Sequence, residues 1–440
     1  MVVAFSLPKS VNPEVDGYIM VNAPSIMEFS MNYTLNAMPA GHVACILNHL
    51  VDIPVGGSYG ILHLQDANVG GDDLNIGIYI KTLNQSPSTA DSVKVTFDFV
   101  IGSKKSDMKM LNFACTGTSS VALKECITKS GMEAQMKYSD NGKNADLMTW
   151  RLINGNLEEN LNYIVAHSYV PSDILFWSFD ESKGRIVVST FNTEKVSKTR
   201  SFLFYSQDAM TSTANAVYHP KSMAGTSVYR YMYMERGDNT SMWRSNMFPN
   251  LIVDTTNSKG EKETGDCGGD CIDVIMNAAG ANPVPQSMRP PKGSSGVYGE
   301  PNLAMAFPQN GHKKYAVADT IRGRLMSEYG RIARVRISNH LGPPVGSCVY
   351  LVAYSSKIRE GDIIPDRDFT ARYIVLSKLV NKVTDSSVGA LGNKSVNMTA
   401  EYETYLELAT NFPFAKNPAK EYTIVSDAVK NVLNAVEGGK

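Results

Sequence analysis

The sequence predicts an α+β protein that is mainly β, with two antiparallel β-barrel domains joined by a helix-plus-hairpin domain and a long irregular insertion. Two observations predict this class. Strict alternation of apolar and polar residues, the period of a strand with one buried face, recurs in two separate parts of the chain. Between those parts, one segment has the apolar spacing of a helix and is followed by two short strand-like runs.

The same patterns divide the 440 residues into six parts, and this length suits about three domains of ordinary size. In chain order the parts are an N-terminal arm at 1–20, a first β-barrel at 21–125, an α+β linker domain at 126–215, an irregular insertion at 216–315, a second β-barrel at 316–410, and a C-terminal linker with an amphipathic helix at 411–440. The two β regions are nearly equal in size, so two similar β domains are expected.

Strand patterns fill the first β-barrel. Apolar residues alternate with polar ones from Met27 to Leu35 and again from Val93 to Ile101. Three further strands are predicted at 61–64, 74–80 and 108–115. The segment 85–91 and the glycine pairs between the strands are predicted turns, at a spacing typical of an antiparallel barrel or sandwich.

The linker domain carries the clearest local signal. Asn156 can cap a helix, and Glu159 follows three residues later, as in a capping box. Apolar residues then recur at spacings of three and four, which predicts a helix from Leu157 to about His167 with one apolar face. A β-hairpin follows, with its strands and turn predicted at 174–179, 185–190 and 180–184. This unit is small and needs neighbouring elements to complete its core.

The insertion is rich in Asn, Ser, Gly and Pro, and within it the segment 227–236 has the clearest strand pattern. So long an irregular stretch is uncommon inside one domain, and it is therefore predicted to lie on a partner.

The second barrel begins with a short predicted helix at 318–329 and an alternating strand at 331–338. Its remaining strands and turns are predicted at 348–354, 372–383, 396–409, 360–362 and 389–392.

Composition and charge argue against two classes of partner. Hydrophobic residues make up 43% and charged residues 19%, as in a globular protein. The 42 basic and 43 acidic residues give a net charge of −1, which removes the electrostatic basis for binding nucleic acid or an acidic membrane surface. No apolar run reaches transmembrane length, and residues 1–10 lack the pattern of a secretion signal. Synthesis in the cytoplasm is expected.

No catalytic, cofactor-binding or metal-binding residue is predicted. Cys267 and Cys271 lie close together in a glycine-rich turn, but a metal site needs a second ligand pair, and the sequence supplies none at suitable spacing. His167 falls at the end of the predicted helix, and no carboxylate or nucleophile is spaced to work with it. Three histidines in the first barrel match no compact metal motif: His42, His49 and His63. The protein is therefore expected not to be an enzyme and to need no cofactor.

The C-terminal part is predicted to form an amphipathic helix over 420–436, separated from the second barrel by Pro413 and Pro418. A narrow apolar stripe on a tethered helix is a candidate partner-docking segment, which either folds back on its own subunit or docks on another protein. The stripe consists of Val425, Val429, Val432, Leu433 and Val436.

The order of these elements resembles the central baseplate hub proteins of contractile phage tails, a family also found in contractile injection machines. The resemblance rests on a β-barrel, a helix-plus-hairpin insert with Trp-Ser-Phe-Asp at 177–180 and Gly-Arg-Ile-Val at 184–187, and a second barrel. The strands at 373–380 and 402–408 look like that family's closing hairpin. The resemblance covers about residues 24–215 and 316–410, and the insertion departs from it.

This resemblance implies a homotrimer in which each subunit contributes two similar barrels to a ring of six, joining a three-fold central spike to a six-fold tail tube. The implied partners are other copies of the chain, the central spike protein, the tail tube proteins and the baseplate wedge proteins. The implied location is the tail baseplate of a virion, without direct nucleic-acid readout or membrane insertion.

Two other classes stay open at this point. Another virion β-protein, such as a peripheral baseplate or jelly-roll capsid subunit, would form a single eight-stranded sandwich instead of two barrels. A β-rich glycan-active enzyme would need a carboxylate pair in a cleft, and acidic residues are plentiful enough in the sequence to supply one.

Overall fold

The computed structural model describes most of the first β region and the linker, and parts of the remainder. The described residues are 1–9, 16–48, 58–66, 73–89, 92–102, 111–138, 146–170, 173–196, 202–206, 216–220, 227–231, 233–238, 255–256, 262–263, 329, 331–359, 362–365, 369–383, 402–410 and 422–426. Within them, no helix combines the length and the apolar character needed to cross a membrane. Several predicted features lie outside these ranges: most of the helix at 318–329, the turn at 389–392, Cys267, Cys271, His49, Val429, Val432, Leu433 and Val436.

The fold class is α+β and mainly β, as predicted. The helices are α1 (Ser119–Lys129), α2 (Leu157–His167) and α3 (Phe191–Val196). The strands of the first half are β1 (Val2–Pro8), β2 (Tyr18–Val21), β3 (Ile26–Thr34), β4 (Ala40–Leu47), β5 (Ser58–Gln65), β6 (Asp73–Thr89), β7 (Ser92–Ile101), β8 (Leu111–Gly117), β9 (Ala134–Met136), β10 (Met148–Gly155), β11 (Leu175–Asp180) and β12 (Arg185–Thr190). Those of the second half are β13 (Phe202–Ser206), β14 (Ala216–Pro220), β15 (Ser227–Tyr231), β16 (Tyr233–Asp238), β17 (Thr255–Thr256), β18 (Lys262–Glu263), β19 (Arg331–Ser338), β20 (Cys348–Leu351), β21 (Tyr354–Arg359), β22 (Asp362–Pro365), β23 (Ala371–Lys382), β24 (Tyr402–Thr410) and β25 (Tyr422–Ser426).

The first β set comprises β1 to β7, hydrogen-bonded in the order β2-β1-β5-β6-β7-β4-β3 with every pair antiparallel. Strand β6 serves two neighbours, because its first half pairs with β5 and its second half with β7. The alternation in β7 buries every second side chain, as the sequence pattern predicts. Phe97 and Phe99 from that strand pack edge-on against Phe5, with ring centroids 5.3 and 5.6 Å apart, at the centre of the core.

The second β set curls round so that its two end strands are consecutive in the chain. Its hydrogen-bonded order is β15-β13-β20-β23-β24-β19-β16. Strands β15 and β16 follow one another with a single residue between them; β15 pairs with β13 in parallel, and β16 pairs with β19 antiparallel. Among the described residues β15 and β16 do not pair with each other, so the set is a curled sheet whose two ends are joined by the chain itself.

The linker matches its sequence pattern closely. The Asn156 side chain accepts from the backbone N–H of Glu159 at 2.8 Å, and the Glu159 carboxylate accepts from the backbone N–H of Asn156 at 2.9 Å, which is the predicted capping box. Helix α2 has the predicted bounds and buries its apolar face, including Leu161 and Ile164. It packs on α1, β10 and β11, while β11, β12 and β9 form a three-stranded sheet with the predicted hairpin.

One predicted turn is wrong, and several observed elements, among them α1, α3, β1, β4 and β10, have no counterpart in the predicted elements. The segment predicted as a turn at 85–91 continues β6 as far as Thr89, because its backbone pairs with β7. Among the described residues, this half of β6 pairs only with β7 and so forms an edge. A proline, which has no backbone N–H to donate, is tolerated in an edge strand when that position faces away from the paired strand. Helix α1 has no counterpart in the predicted elements, and Val2–Pro8 in the predicted arm forms β1 between β2 and β5.

The first described part of the predicted C-terminal helix is a strand. Tyr422–Ser426 forms β25 and pairs antiparallel with β14, which places Val425 opposite Val217. The run Thr-Ile-Val at 423–425 is β-branched, and a paired partner strand outweighs the helical spacing of the valines.

Candidate functional site

The two β sets are joined through a shared strand pair, which the sequence did not predict. Residues 30–34 of β3 pair antiparallel with residues 377–381 of β23, so the two sets form one 14-stranded sheet. One further backbone bond, from the N–H of Leu35 to the carbonyl of Leu376 at 3.1 Å, extends the pairing. We call this region the joint. The sets cannot rotate against each other without breaking this ladder.

A buried ion pair fastens the hairpin to the joint. Lys378 of β23 donates from Nζ to the carboxylate of Glu181, in the β11–β12 turn, and the two side chains are 0% and 2% exposed. The ammonium lies 4.2 Å from the centroid of the Tyr33 ring, and 3.4 Å from the carbonyl of Pro343. Burial, and then the negative charge of Glu181, raise the pKa of Tyr33 well above its ordinary value, so its hydroxyl stays neutral.

The turn after β3 also binds the β11–β12 hairpin. Asn36 has φ of +59°, and its backbone N–H donates to the carbonyl of Trp177 at 2.9 Å, while its side-chain oxygen accepts from the N–H of Trp177 at 3.0 Å. The indole N–H of Trp177 donates to Asn162 on α2 at 2.9 Å. Gly346 has φ of +86°, and a Cβ there would meet the Phe176 ring at 2.5 Å. Strand β11 thus links the helix, the first set and the second set.

Two side chains connect the β sets at a distance from the shared strand pair. Lys382 of β23 donates from Nζ to the carbonyl oxygens of Ile26 and Ala23, at 2.6 and 3.2 Å. Asp66, which follows β5 and is 1% exposed, accepts from the backbone N–H of Leu341 and lies 3.2 Å from Nδ1 of His340. Contacts between the two β sets therefore extend beyond the shared strand pair.

Exposed charges beside the joint neutralise one another. Arg334 of β19 contacts Glu407 at 3.0 Å and Glu235 at 3.7 Å, and Arg336 contacts Glu403 at 3.2 Å. The hydrogen bond with Glu407 raises the pKa of the Arg334 guanidinium, which is charged in any case. The Arg334–Glu235 pair is exposed and contributes little stability, whereas the Arg336–Glu403 pair is partly buried. Together these pairs leave this face of β16, β19 and β24 without local excess charge.

One set of side chains has the distances of a nucleophile, a base and an orienting group. Ser6 Oγ lies 2.7 Å from His63 Nε2, and His63 Nδ1 lies 2.6 Å from Asn75 Oδ1. Ser6 is only 5% exposed, however, and its hydroxyl also contacts the sulfur of Met20 at 2.9 Å. Strand β1, which contains Ser6, pairs with β2 on one side and β5 on the other. The backbone N–H groups near the Ser6 hydroxyl are therefore used in strand pairing and are not available to stabilise an oxyanion. This arrangement fits a polar cluster on a sheet surface.

The other histidines named in the sequence analysis do not converge. His42 Nδ1 lies 2.7 Å from the exposed carboxylate of Asp98. Hydrogen bonds from Thr82, and then from His42, lower the pKa of Asp98 below its ordinary value. His167 contacts the carbonyl of Tyr163 at 2.7 Å and stacks on its ring, at the end of α2 as predicted. Across the described ranges, no three His, Cys, Asp or Glu side chains gather as metal ligands.

The four described cysteines are free thiols. Burial raises the pKa of Cys45 and of Cys126 to about 12, and that of Cys115 to about 11. A thiol with so high a pKa is scarcely ionised at neutral pH and is a poor nucleophile. Among the described residues, the joint is the region with the most contacts between the two β sets.

Comparisons with known proteins give similarity in fold only. No protein-family model and no curated protein matches the sequence. Among solved structures, a tail protein from Neisseria meningitidis MC58 is similar at 10% identity, with 93% of this chain and 97% of that chain covered and a TM-score of 0.49. The tail protein of prophage MuSo2 from Shewanella oneidensis is similar at 9% identity, with the same coverages and a TM-score of 0.47. A type VI secretion component from Escherichia coli is similar at 8% identity, covering 89% and 74%, with a TM-score of 0.42.

Proposed function

We propose that this protein is a structural subunit of a phage tail or related contractile machine, and that within it the chain is the trimeric hub joining a three-fold central spike to a six-fold tail tube. The observation that carries the proposal is the joint, which makes two β sets of one chain a single sheet. Three copies of such a chain carry six β sets, and a three-fold ring can therefore meet a six-fold one.

The chemistry of the joint suits an adaptor. A part that transmits force between rings needs its two halves fixed in orientation, and the shared strand pair, the buried Lys378–Glu181 pair and the Asn36 turn fix them. No catalytic role is proposed for the chain. The proposed partners are other copies of itself, the spike, the tail tube proteins and the baseplate wedge proteins, and the proposed location is the tail baseplate of a virion.

The alternative of a jelly-roll capsid or peripheral baseplate subunit is less well supported. It requires an eight-stranded sandwich, whereas the described strands include one 14-stranded sheet. The glycan-active enzyme requires paired carboxylates in a cleft. The acidic side chains at the joint are instead engaged by cations, as in the Lys378–Glu181 pair.

The first prediction concerns assembly. Purified protein is expected to form a stable trimer at micromolar concentration, with about three times the 48.1 kDa chain mass. Multi-angle light scattering measures this mass, and electron microscopy of the same sample is expected to give a three-fold ring with a nearly six-fold face. A monomer in light scattering contradicts the hub.

The second prediction concerns the C-terminal segment. Removing the residues after Asn417 takes away β25 as well as the rest of the stripe. A folded trimer is still expected, because β25 pairs with β14 in a two-stranded sheet separate from the 14-stranded one. This trimer is expected not to enter tails, because we propose that the C-terminal segment docks on a neighbouring tail protein. Assembly in a tail reconstitution measures this, with the full-length protein as the control. An insoluble truncated protein indicates that the segment, which includes β25, completes its own subunit instead. Unimpaired assembly excludes an essential docking role.

A further inference from the structure

Two of the free thiols belong to adjoining elements. Cys115 lies in β8 and Cys126 in α1, and only Thr118 separates the strand from the helix. Cys115 shares one face of β8 with the buried Phe113 and Gly117. Cys126 is 1% exposed and lies on the buried face of α1. The two thiols are therefore carried by one strand–helix unit, whose packing decides whether they meet.

Contacts at both ends define how α1 lies on β8. Near the start of the helix, a Cβ added to Gly117 would come within 3.0 Å of the Val121 side chain. At the other end, the Lys129 ammonium lies 5.3 Å from the centroid of the Phe113 ring. The helix therefore runs back along the strand, over the face of β8 that carries Cys115.

The lengths of these two stretches place the thiols opposite each other. Residues 113–117 of a strand span about 13 Å, and residues 121–129 of a helix span about 12 Å. Because the two stretches are nearly equal in length and make contact at both ends, their midpoints coincide. Cys115 is the midpoint of the strand stretch, and Cys126 lies one residue beyond the midpoint of the helix stretch.

The electrostatics of the two thiols agree with this placement. Burial is the main cause that raises the pKa of both, and after burial a charge on Cys115 raises the pKa of Cys126 further. The Lys129 ammonium acts on both thiols and lowers both pKa values. Interactions between charges weaken with distance, so the two sulfur atoms and this ammonium form one cluster.

We propose that Cys115 and Cys126 are the two partners of a disulfide, which forms when the protein meets a small-molecule disulfide outside the reducing cytoplasm. The Cys115 thiolate, on the less buried residue, attacks one sulfur of this oxidant, and the other half of the oxidant leaves as a thiolate. The Cys126 thiolate then attacks the Cys115 sulfur and releases the second half. The protein loses two protons and two electrons, and the oxidant becomes two thiols.

This disulfide holds α1 on β8 by a covalent bond. It closes the short loop at 115–126, which removes conformational freedom from the unfolded chain and so stabilises the folded one. The melting temperature of the oxidised protein is therefore expected to exceed that of the reduced protein. Cys126→Ala is expected to melt at the same temperature with and without oxidant.

Peptide mapping tests the pairing directly, because trypsin cleaves at Lys124 and places the two cysteines in separate peptides, 110–124 and 125–129. Full-length protein is incubated with oxidised glutathione, alkylated, unfolded and digested without reductant. The expected product is these two peptides linked, lighter than their sum by two hydrogen atoms and separated by dithiothreitol. A link from either cysteine to a different one, or a stable glutathione adduct on Cys115 instead of the link, contradicts the pairing.

The rate of linking gives a second test. Below its pKa of about 11, the ionised fraction of Cys115 rises about tenfold with each pH unit, so linking is expected to be about 100-fold faster at pH 9 than at pH 7. Cys45→Ala is the matched control, because Cys45 is equally buried but lies on β4, and it is expected to link at the wild-type rate. Thiols that stay free at pH 9, under conditions in which the unfolded protein is oxidised, overturn the proposal.

Discussion

Replacing Lys378 with methionine is expected to lower the free energy of unfolding by about 3–5 kcal/mol, because the substitution leaves the Glu181 carboxylate buried without its cation. In the native protein Glu181 is 2% exposed, and its second oxygen, Oε2, already has no hydrogen-bond partner among the described groups. The full desolvation penalty of the charge then falls on the folded state. Urea denaturation followed by circular dichroism measures the loss.

Two variants serve as controls for this substitution. Lys378→Met combined with Glu181→Leu removes both charges, and it is expected to recover most of the lost stability, since apolar side chains can replace a buried ion pair. Arg334→Met breaks an exposed pair and is expected to change stability by less than about 1 kcal/mol. Equal urea midpoints for Lys378→Met and wild type would show that the Lys378–Glu181 pair does not stabilise the fold.

Replacing Leu161 or Ile164 with aspartate is expected to abolish soluble folding. Both side chains are 0% exposed on the apolar face of α2, so each substitution combines a lost apolar contact with a buried charge, at a cost of more than about 4 kcal/mol. Expression tests and circular dichroism measure the outcome. Ala166→Asp places the same charge on the exposed side of the same helix and is expected to fold. Folded aspartate variants that assemble normally would mean that α2 is not packed against the rest of the linker.

Local signals in the sequence were sufficient to predict helix α2 and the hairpin that follows it. The capping box of Asn156 and Glu159, the apolar spacing of α2 and the hairpin turn act within a few residues of one another, so the structure reproduces them. Helix α1 also left a signal. Ala122, Leu123 and Cys126 recur at helical spacing after Thr118, but the segment directly follows a strand pattern that obscures this helical signal.

The joint could not be predicted in the same way. Lys378 sits in a strand pattern in which a polar residue usually indicates the solvent face, and Glu181 sits in a turn, where acidic residues are common. Only the pairing of β3 with β23 brings them beside Tyr33, and that pairing depends on tertiary structure. The strand at 422–426 could not be predicted for the same reason, because its partner β14 lies in a distant part of the chain.

The joint has a consequence for biosynthesis. Lys382 and the carbonyl of Ile26 that it contacts are 356 residues apart in the chain. At ribosomal rates the interval between the synthesis of these two residues is roughly 20 to 70 s. During that time β3 has been made but its partner β23 has not, so one side of β3 remains available to other nascent chains. We therefore expect the nascent chain to need chaperones or a low protein concentration until β23 has left the ribosome.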